Sequence, residues 1–524
     1  MIHFIPAWYN PDRPWYSTDS VWFRSTAGPQ SDDTVTQVRV FHQGSEDIGL
    51  VVLNYAPSLR RLLYSHDIFE VPYWSFFDQV QGLHDDYARP IDFLSLEWPE
   101  GVSFHYNPFI VTVMRDSDVY ARVYLSREGT LQSIRYYGEG MPVLERIFDD
   151  RGFLSSVLMH DEDGHPVTQY YLSRAGDVIV SEDVPSGRID VVEDNEDRFQ
   201  SQSYESWEPL IAELLTARLA ERRGERDTVV LALSEQHNAL VASTLSDQTL
   251  VLSRSAGRPS GASSELLQRA GAVFCDVGKP ADDDPADQAE AWAFLPELSI
   301  YPLERRSMFG ASANETNVYI SLFVDNITTD ELDYAIAIMA GQLVDDEHAR
   351  LLVCTFRSQD LDYLLEIRRV IGGYQHLDRE LLAGDDIAGL SVDVGAADEP
   401  EEKIQLTFLD GEAELIRTMA KSRVFVDLGA TVNYRLATEA VNAGVPQINR
   451  HEQELVTHPI NGYVIGDDSE LATALDYFLS GLVHWNQSLV QCRVLQDLFR
   501  AQEVLGRWDL VKEGVAAAGP ADRA

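Results

Sequence analysis

The sequence is poor in cysteine and has no long apolar run. Only three cysteines occur, Cys275, Cys354 and Cys492, and their spacing matches no metal site. This excludes a disulfide scaffold, and the apolar neighbours of each cysteine predict buried, reduced thiols. No uninterrupted apolar stretch is long enough to span a bilayer, and Met1 to Pro6 lack the basic region and apolar core of an export signal. These absences predict a cytoplasmic chain.

Basic residues are also scarce. The chain has 41 Lys and Arg residues against 85 Asp and Glu residues, a formal net charge of −44. Such a surface repels polyanions at long range, so neither nucleic acid nor an anionic membrane is expected as a partner. A local basic pocket stays open as an alternative. The simplest interpretation of the excess acid is a solvated surface or a salt-adapted host.

What is present indicates a large globular protein. The 524 residues are 45% hydrophobic and 24% charged, which is enough apolar material for two to four domains. From Val318 onward, short apolar runs alternate with amphipathic stretches, as in strand and helix units of a parallel sheet. The segment from Thr228 to Leu303 repeats this pattern, and Ile2 to Pro6 reads as another strand of that first sheet.

A different pattern lies between these halves. From Val102 to Asp183 the apolar residues alternate with a period of two, and glycines such as Gly129, Gly152 and Gly164 mark hairpin turns. The fold class predicted is therefore α/β, with two Rossmann-like domains and an inserted antiparallel β-meander. The predicted boundaries are 1–101 with 205–315 for the N-terminal Rossmann-like domain, 102–190 for the inserted sheet, 316–511 for the C-terminal Rossmann-like domain, and 512–524 for a flexible tail.

The stretch from Asp427 to Asn449 is the most informative motif. A strand ends in a glycine turn, a helix carries Glu439, Gly444 caps that helix, and another strand follows. A helix that begins at such a turn offers free backbone N–H groups to a phosphate or a carboxylate.

This stretch resembles the carboxy-terminal half of retaining GT-B glycosyltransferases that use nucleotide sugars. The second of two glutamates in that family matches Glu439, together with Ala443 to Pro446, whereas the position of the first glutamate is Thr431. The family also brings an Arg and a Lys to the diphosphate, but the corresponding segment, Phe323 to Glu331, contains carboxylates and no cation. The departures predict that the donor chemistry is lost, since a developing diphosphate needs preorganised positive charge. The residues expected at this vestigial donor site are Thr431, Asn433, Arg435, Glu439, Asn449 and Arg450.

An aromatic loop near the start replaces the glycine-rich turn through which these enzymes admit an acceptor. It contains Trp8, Tyr9, Trp15 and Tyr16, interleaved with prolines. Aromatic faces stack on sugar rings, so these residues are candidates for contact with a glycan or a partner. Packing in the core or between domains is an equally good interpretation.

Three short motifs together resemble one family. They are Phe4 to Tyr9, Pro14 to Tyr16, and Gly444 to Arg450. With the length and domain order, they resemble the glycosyltransferase-like first member of the accessory Sec system proteins. The resemblance implies a noncatalytic component of a cytoplasmic complex that assists export of serine-rich-repeat glycoprotein adhesins. Its implied partners are two sister accessory proteins, a motor ATPase and the glycosylated adhesin, with membrane contact only through them.

Two hypotheses about function follow. The first is this noncatalytic pseudo-glycosyltransferase, with no cofactor. The second is an active retaining glycosyltransferase that uses a nucleotide sugar to glycosylate an adhesin, with Arg435 or Arg450 supplying the missing charge. A metal site is not predicted, because His451 and His458 match no zinc-binding spacing.

Overall fold

The computed structural model describes most of the chain. It covers residues 1–10, 12–16, 32–85, 87–107, 110–126, 128–221, 227–255, 258–275, 297–298, 302–305, 308–358, 360–374, 403–409, 412–429 and 432–517. Within these ranges no helix is both long enough and apolar enough to cross a membrane.

The strands and helices are numbered in chain order. The strands are β1 Ile2–Ile5, β2 Ile48–Val52, β3 Tyr73–Ser75, β4 Val102–Tyr106, β5 Ile110–Arg115, β6 Asp118–Leu125, β7 Leu131–Gly138, β8 Met141–Asp149, β9 Phe153–His160, β10 Pro166–Leu172, β11 Val178–Asp183, β12 Ile189–Val191, β13 Ser203–Tyr204, β14 Thr228–Ala232, β15 Thr249–Arg254, β16 Ala270–Cys275, β17 Glu297–Leu298, β18 Val318–Phe323, β19 Ala349–Thr355, β20 Ile404–Phe408, β21 Ser422–Asp427, β22 Gln447–Asn449 and β23 Gly462–Val464. The α-helices are α1 Asp33–Gln43, α2 Leu59–Ser65, α3 Phe76–Gln81, α4 Trp207–Ala220, α5 Asn238–Thr244, α6 Ser264–Arg269, α7 Thr329–Asp345, α8 Leu361–Gly373, α9 Glu412–Lys421, α10 Tyr434–Ala443, α11 Leu471–Leu479, α12 Leu482–Leu498 and α13 Ala501–Ala517.

Two parallel sheets form the Rossmann-like domains. The first has seven strands in the order β17-β16-β15-β14-β1-β2-β3, and the second has six in the order β20-β19-β18-β21-β22-β23. Every strand pair in both is parallel. Parallel strands covered on both faces have continuous apolar sequences, which is why runs such as Thr228–Ala232 are entirely buried.

The third sheet is the predicted meander. Ten strands, β4 to β13, pair with their sequence neighbours in an unbroken antiparallel series. Its hairpin glycines have positive φ, among them Gly129 at 84° and Gly152 at 82°. The sheet continues beyond the predicted end at residue 190, because β12 ends at Val191 and β13 is Ser203–Tyr204.

The end of the chain departs from the prediction. Helix α13 extends to Ala517, so 512–517 are helical where a flexible tail was predicted, and 518–524 lie outside the described residues. The buried Trp508 of this helix stacks on Phe274 of the first sheet at 5.5 Å between ring centroids. It also meets Phe41 of α1 edge-on at 5.3 Å. The region assigned by sequence to the C-terminal domain therefore ends in a helix that packs on the N-terminal domain, where these rings are shielded from water.

The two Rossmann-like domains share a hydrophobic core. One continuous cluster contains Phe4 and Phe41 from the first domain, and Tyr434, Val441 and Cys492 from the second. The predicted burial of reduced thiols is confirmed for Cys354 and Cys492, which are free and buried. The side chain of Cys275 lies outside the described part of the chain.

Candidate functional site

The second parallel sheet has a switch point between β18 and β21. From β18 the chain proceeds to β19 on one side, whereas β21 pairs on the other. Loops that leave the carboxyl ends of such strands in opposite directions open a crevice, which is where doubly wound proteins bind ligands. The loop after β21 leads to α10, and the loop after β18 leads to α7. This is the place where the sequence predicts the vestigial donor site.

The turn before α10 is stabilised by a carboxylate of the chain itself. Asp427, at the end of β21, accepts hydrogen bonds from the backbone N–H groups of Gly429 and Asn433, both at 3.1 Å. Asn433 is the N-cap of α10, because its Oδ1 accepts from the N–H of Leu436 at 3.1 Å. Burial raises the pKa of the Asp427 carboxyl. The oxygens of an internal carboxyl group thus occupy backbone donors that such a turn otherwise offers to a phosphate.

Arg450 is held in an ion-pair network. Its Nη1 donates to Glu331 Oε1 at 2.7 Å, and its Nη2 donates to both oxygens of Asp468 at 2.8 and 2.9 Å. Glu331 also accepts from the backbone N–H of Thr328 at 2.8 Å, which completes the capping box of α7. The hydrogen bond from Thr328, and then the Arg450 guanidinium, hold the pKa of the Glu331 carboxyl below its usual value. The cation of this crevice therefore carries two carboxylates already.

A further carboxylate follows β18. Asp325 accepts a hydrogen bond from the Thr355 hydroxyl and another from the backbone N–H of Phe356 at 2.8 Å. Burial raises the pKa of the Asp325 carboxyl. The Arg357 guanidinium donates to the backbone oxygen of Asp325 at 3.2 Å and lies 4.6 Å above the ring of Tyr363. This strand end is thus rigid and internally hydrogen-bonded.

The structure places the remaining predicted donor-site residues around α10. Arg435 is half-buried in its first turn, and Glu439 is buried one turn later. Asn449 is opposite Asp427 in the pairing of β22 with β21, and its Oδ1 is buried without a hydrogen-bond partner in the described structure. Thr431 lies outside the described residues.

Sequence reasoning missed two members of this network. Asp468 lies in a 3₁₀ turn after β23, and nothing in its local sequence points to Arg450. Asp427 was recognised only as the end of a strand. Its position directly before a glycine turn was the available signal, because a short carboxylate there can accept from the turn's N–H groups.

The first parallel sheet has its own switch point, between β1 and β14. The buried His237 lies there, with its Nε2 at 2.6 Å from the backbone oxygen of Ala232. Because that oxygen only accepts, Nε2 carries the proton and Nδ1 accepts from the Tyr9 hydroxyl. Burial lowers the pKa of His237 to about 4. A neutral histidine and a tyrosine are therefore hydrogen-bonded to each other at this switch point.

A buried ion pair lies beside this crevice. The Arg258 guanidinium donates to both oxygens of Asp33, at 3.0 and 2.7 Å, and Ser253 Oγ donates to the same carboxylate at 2.6 Å. Asp33 is buried at the start of α1. The positive charge here is neutralised within the chain, as it is in the second sheet.

The aromatic loop contacts the core of the first domain. Trp8, Tyr9 and Tyr16 are half-buried against hydrophobic clusters, and Trp15 belongs to one of them. The indole nitrogen of Trp15 donates to Glu208 Oε1 at 2.8 Å. The Arg13 guanidinium lies 4.6 Å from the ring centre of Tyr16. These are the contacts that the packing interpretation requires.

Comparison with known proteins identifies the family. The family model described as the first accessory Sec system protein matches residues 1–514. The chain belongs to this accessory Sec family. A relative with the same description, from Staphylococcus aureus (strain NCTC 8325 / PS 47), is 27% identical over 524 residues, which cover 98% of this chain and 99% of the relative. The resemblance read from the three short motifs is confirmed.

Solved structures of similar accessory Sec proteins come from complexes. One is the Glycosylation Associate Protein (Gap123) complex from Streptococcus agalactiae, with 28% identity, a TM-score of 0.77, and coverage of 97% of this chain and 99% of that one. Another is the structure of accessory secretory proteins 1, 2 and 3 of Streptococcus pneumoniae, with 25% identity, a TM-score of 0.77, and coverage of 99% and 100%.

The fold is also that of a glycosyltransferase. The pneumococcal O-GlcNAc transferase GtfA, solved with UDP and GlcNAc, matches with a TM-score of 0.66 at 13% identity, covering 99% of both chains. At this identity the likeness concerns the fold alone. The predicted fold class, a GT-B-like pair of Rossmann-like domains with an antiparallel insertion, is confirmed for this accessory Sec protein.

Proposed function

We propose that this protein is a noncatalytic, glycosyltransferase-like component of the accessory Sec export complex, assisting export of serine-rich-repeat glycoprotein adhesins. The observation that carries the proposal is the state of Arg450, which is bonded to Glu331 and Asp468 at the crevice where a donor would bind. An enzyme of this fold needs that kind of cation for the diphosphate. Here the cation serves to join α7 to the turn after β23.

Electrostatics support the loss of the reaction. A diphosphate at the ends of β18 and β21 approaches the carboxylates of Asp325, Glu331 and Asp427. An ionised carboxylate without a cation opposes binding by on the order of 1 kcal/mol at a partly screened separation, whereas the charge of Glu331 is already offset by Arg450. The pair of half-buried Tyr9 and buried His237 adds to this, because their hydrogen bond places two side chains at the switch point of the other sheet.

The partners proposed follow from the relatives. Similar proteins were solved as the complex of accessory secretory proteins 1, 2 and 3, and as the Gap123 complex. By analogy, this chain binds two sister accessory proteins and, with them, the motor ATPase and the glycosylated adhesin. It acts in the cytoplasm and reaches the membrane through those partners.

A nucleotide-sugar titration by calorimetry tests the proposal. UDP-GlcNAc and UDP-glucose are titrated into the wild type and into Glu439→Ala, and hydrolysis of the sugar is followed in parallel. We expect no heat of binding and no release of sugar. Binding at micromolar concentration that Glu439→Ala abolishes, together with sugar release, would overturn the noncatalytic assignment.

The alternative is an active retaining glycosyltransferase that modifies an adhesin. It shares its fold with the O-GlcNAc transferase, and a shared fold does not decide the activity. In that case Arg435 or Arg450 must meet the diphosphate, so Arg435→Ala and Arg450→Ala each have to weaken the binding seen in the titration. Pull-down of the two sister proteins by a protein that gives a flat titration supports the noncatalytic role instead.

A further inference from the structure

The antiparallel meander has two edge strands of different length. Strand β13, at one edge, has 2 residues, whereas strand β4, at the other edge, has 5 residues, Val102–Tyr106. An edge strand presents backbone groups that no neighbouring strand bonds, and proteins shorten, charge or cover such strands to prevent pairing with other chains. Strand β13 is protected by its shortness, whereas β4 is long enough to pair with a further strand.

The pairing of β4 with β5 shows which backbone groups of β4 face outward. The N–H of Asn107, directly after β4, donates to the backbone oxygen of Ile110 at 3.2 Å, and the register of the two strands is regular. Bonded and non-bonded residue pairs alternate in an antiparallel ladder. The N–H and C=O groups of Val102, Phe104 and Tyr106 therefore point away from β5. In the described part of the chain these groups have no hydrogen-bond partner.

Strand β4 lacks the features that protect other edge strands. It contains no proline and no lysine, its register with β5 has no bulge, and Tyr106 at its end is 63% exposed. The sequence from Val102 to Met114 contains no Asp, Glu, Lys or Arg, in a chain that is 24% charged. A regular, uncharged edge of this kind is a template to which an extended polypeptide adds as a further strand.

The absence of charge indicates which polypeptide fits this edge. Two copies of this chain, each with a formal net charge of −44, repel each other over most of their surfaces, so they can meet only where neither surface is charged. The strands β4 and β5 provide such a place between Val102 and Met114. A strongly charged partner, in contrast, finds no opposite charge on β4 that would favour its binding.

Strand β4 is also complementary to itself. In an antiparallel pair centred on Phe104, Val102 of one copy faces Tyr106 of the other, and the outward N–H and C=O groups of both strands bond to each other. On one face of the joined sheet, Ser103 then lies opposite His105 of the second copy. These two side chains can bond, because within one chain Ser103 Oγ lies 3.0 Å from His105 Nε2. On the other face the two Phe104 rings lie opposite each other, which is a favourable cross-strand pair.

We propose that β4 is a self-association surface, through which two copies of this chain join their meanders into one continuous antiparallel sheet. The pairing uses the same strand of both copies, so it closes at a dimer and does not continue into a fibre. A contact between two strands of 5 residues is at the small end of specific interfaces, so we expect a dimer that forms reversibly with concentration. The inference does not depend on the noncatalytic assignment, because it concerns the meander alone.

Analytical ultracentrifugation of the full chain tests the proposal, at protein concentrations from about 1 to 100 μM, where weak association is measurable. Tyr106→Pro removes an outward N–H and keeps the bonds to β5, because proline is tolerated on an edge strand when its nitrogen faces solvent. Tyr106→Ala is the matched control, since it removes the same exposed ring and keeps the N–H. We expect the wild type and Tyr106→Ala to dimerise with concentration, and Tyr106→Pro to dimerise about tenfold or more weakly.

Three results would overturn the proposal. They are a wild type that stays monomeric over this range, a dimer that Tyr106→Pro leaves unchanged, and a dimer that Tyr106→Ala weakens as much as Tyr106→Pro does. Hydrogen exchange of the wild type, followed by mass spectrometry, is a second measurement that does not depend on the folding of a variant. We expect the peptide that contains β4 to exchange more slowly at the higher concentration, and the peptide that contains β13 to remain unchanged. Unchanged exchange in β4 where the dimer forms also overturns the pairing.

Discussion

At the scale of single residues, one arginine at each switch point is paired with acids of the chain itself. Arg450 pairs with Glu331 and Asp468, and Arg258 pairs with Asp33. A buried guanidinium needs such partners, because its desolvation is otherwise unfavourable. These positions, at the switch points of the two parallel sheets, are thus used for contacts within the chain.

Gly444 is the residue on which the end of α10 depends. Its φ of 79° lies in the left-handed region, and its N–H bonds back to the helix as a C-cap. A Cβ at this position would be 2.6 Å from Leu489 Cδ2 and 3.0 Å from Phe309 Cε2. Both the backbone conformation and the space therefore require glycine.

We expect Gly444→Val to lower the free energy of unfolding by about 2 kcal/mol or more, because a β-branched residue is strained at positive φ and meets both side chains. Urea unfolding measures the change. Gly341→Ala is the control, since Gly341 is inside α7 with open space around it, and it is expected to stabilise the helix by about 0.5–1 kcal/mol. Glu439→Ala is expected to cost less than Gly444→Val. Equal urea midpoints for Gly444→Val and Glu439→Ala would contradict the role of Gly444 as the helix cap.

At the scale of elements, the last helix connects the two halves of the molecule. Helix α13 follows α12 of the second domain and returns to the first sheet, where Trp508 packs between Phe41 and Phe274. The backbone oxygen of Phe499 accepts a hydrogen bond from the backbone N–H of Leu303 at 2.8 Å. This bond is a second contact between the two domains. Trp508, with Val504 and Leu505 of the same helix, thus packs α13 on the first domain.

We expect Trp508→Ala to lower the free energy of unfolding by about 3–5 kcal/mol, because it removes a fully buried aromatic ring and leaves a cavity between the domains. Urea unfolding followed by circular dichroism checks the value. Glu503→Ala, on the exposed side of the same helix, is the control, and its ion pair with Arg500 is worth less than about 1 kcal/mol. A similar loss in both variants would show that α13 is held by something other than the tryptophan.

At the scale of the whole molecule, a buried ion cluster attaches the meander to the first domain. Arg60 of α2 donates to Asp149 and Asp150 at the end of β8 and to Asp78 of α3. Arg151 bonds to Asp78 and Asp149 from the meander side. Burial raises the pKa of Asp150 to about 6, so the cluster depends on its arginines to remain ionised. The insertion is thereby fixed on its domain.

We expect Arg60→Ala to destabilise the protein by about 3–5 kcal/mol, because it leaves several buried carboxylates with one cation. Limited proteolysis is the direct measurement, with faster cleavage around the meander than in the wild type. Arg188→Ala is the matched control, since the Arg188 and Asp190 pair is more than half exposed. Unchanged cleavage in Arg60→Ala would mean that apolar contacts alone hold the insertion.

The strands, the hairpins and a helix cap could be predicted from the amino-acid sequence. Buried parallel strands appear as continuous apolar runs, hairpins contain glycine, and Gly444 is predicted as a helix cap. These features are local, because each depends on residues within a turn or two of one another. For the same reason the fold class and the family could be predicted from short motifs.

Contacts between residues far apart in the chain could not be predicted in this way. Arg450 and Glu331 are 119 positions apart, and Tyr9 and His237 are 228 apart. Trp508 packs against the core of the N-terminal domain, although the local sequence pattern assigns this residue to the C-terminal domain. Such pairs depend on strand order and on the path of the last helix, so no local periodicity contains them. The physical reason is that a buried charge needs an opposite charge and an aromatic ring needs apolar neighbours, and the folded chain supplies these from any distance in sequence.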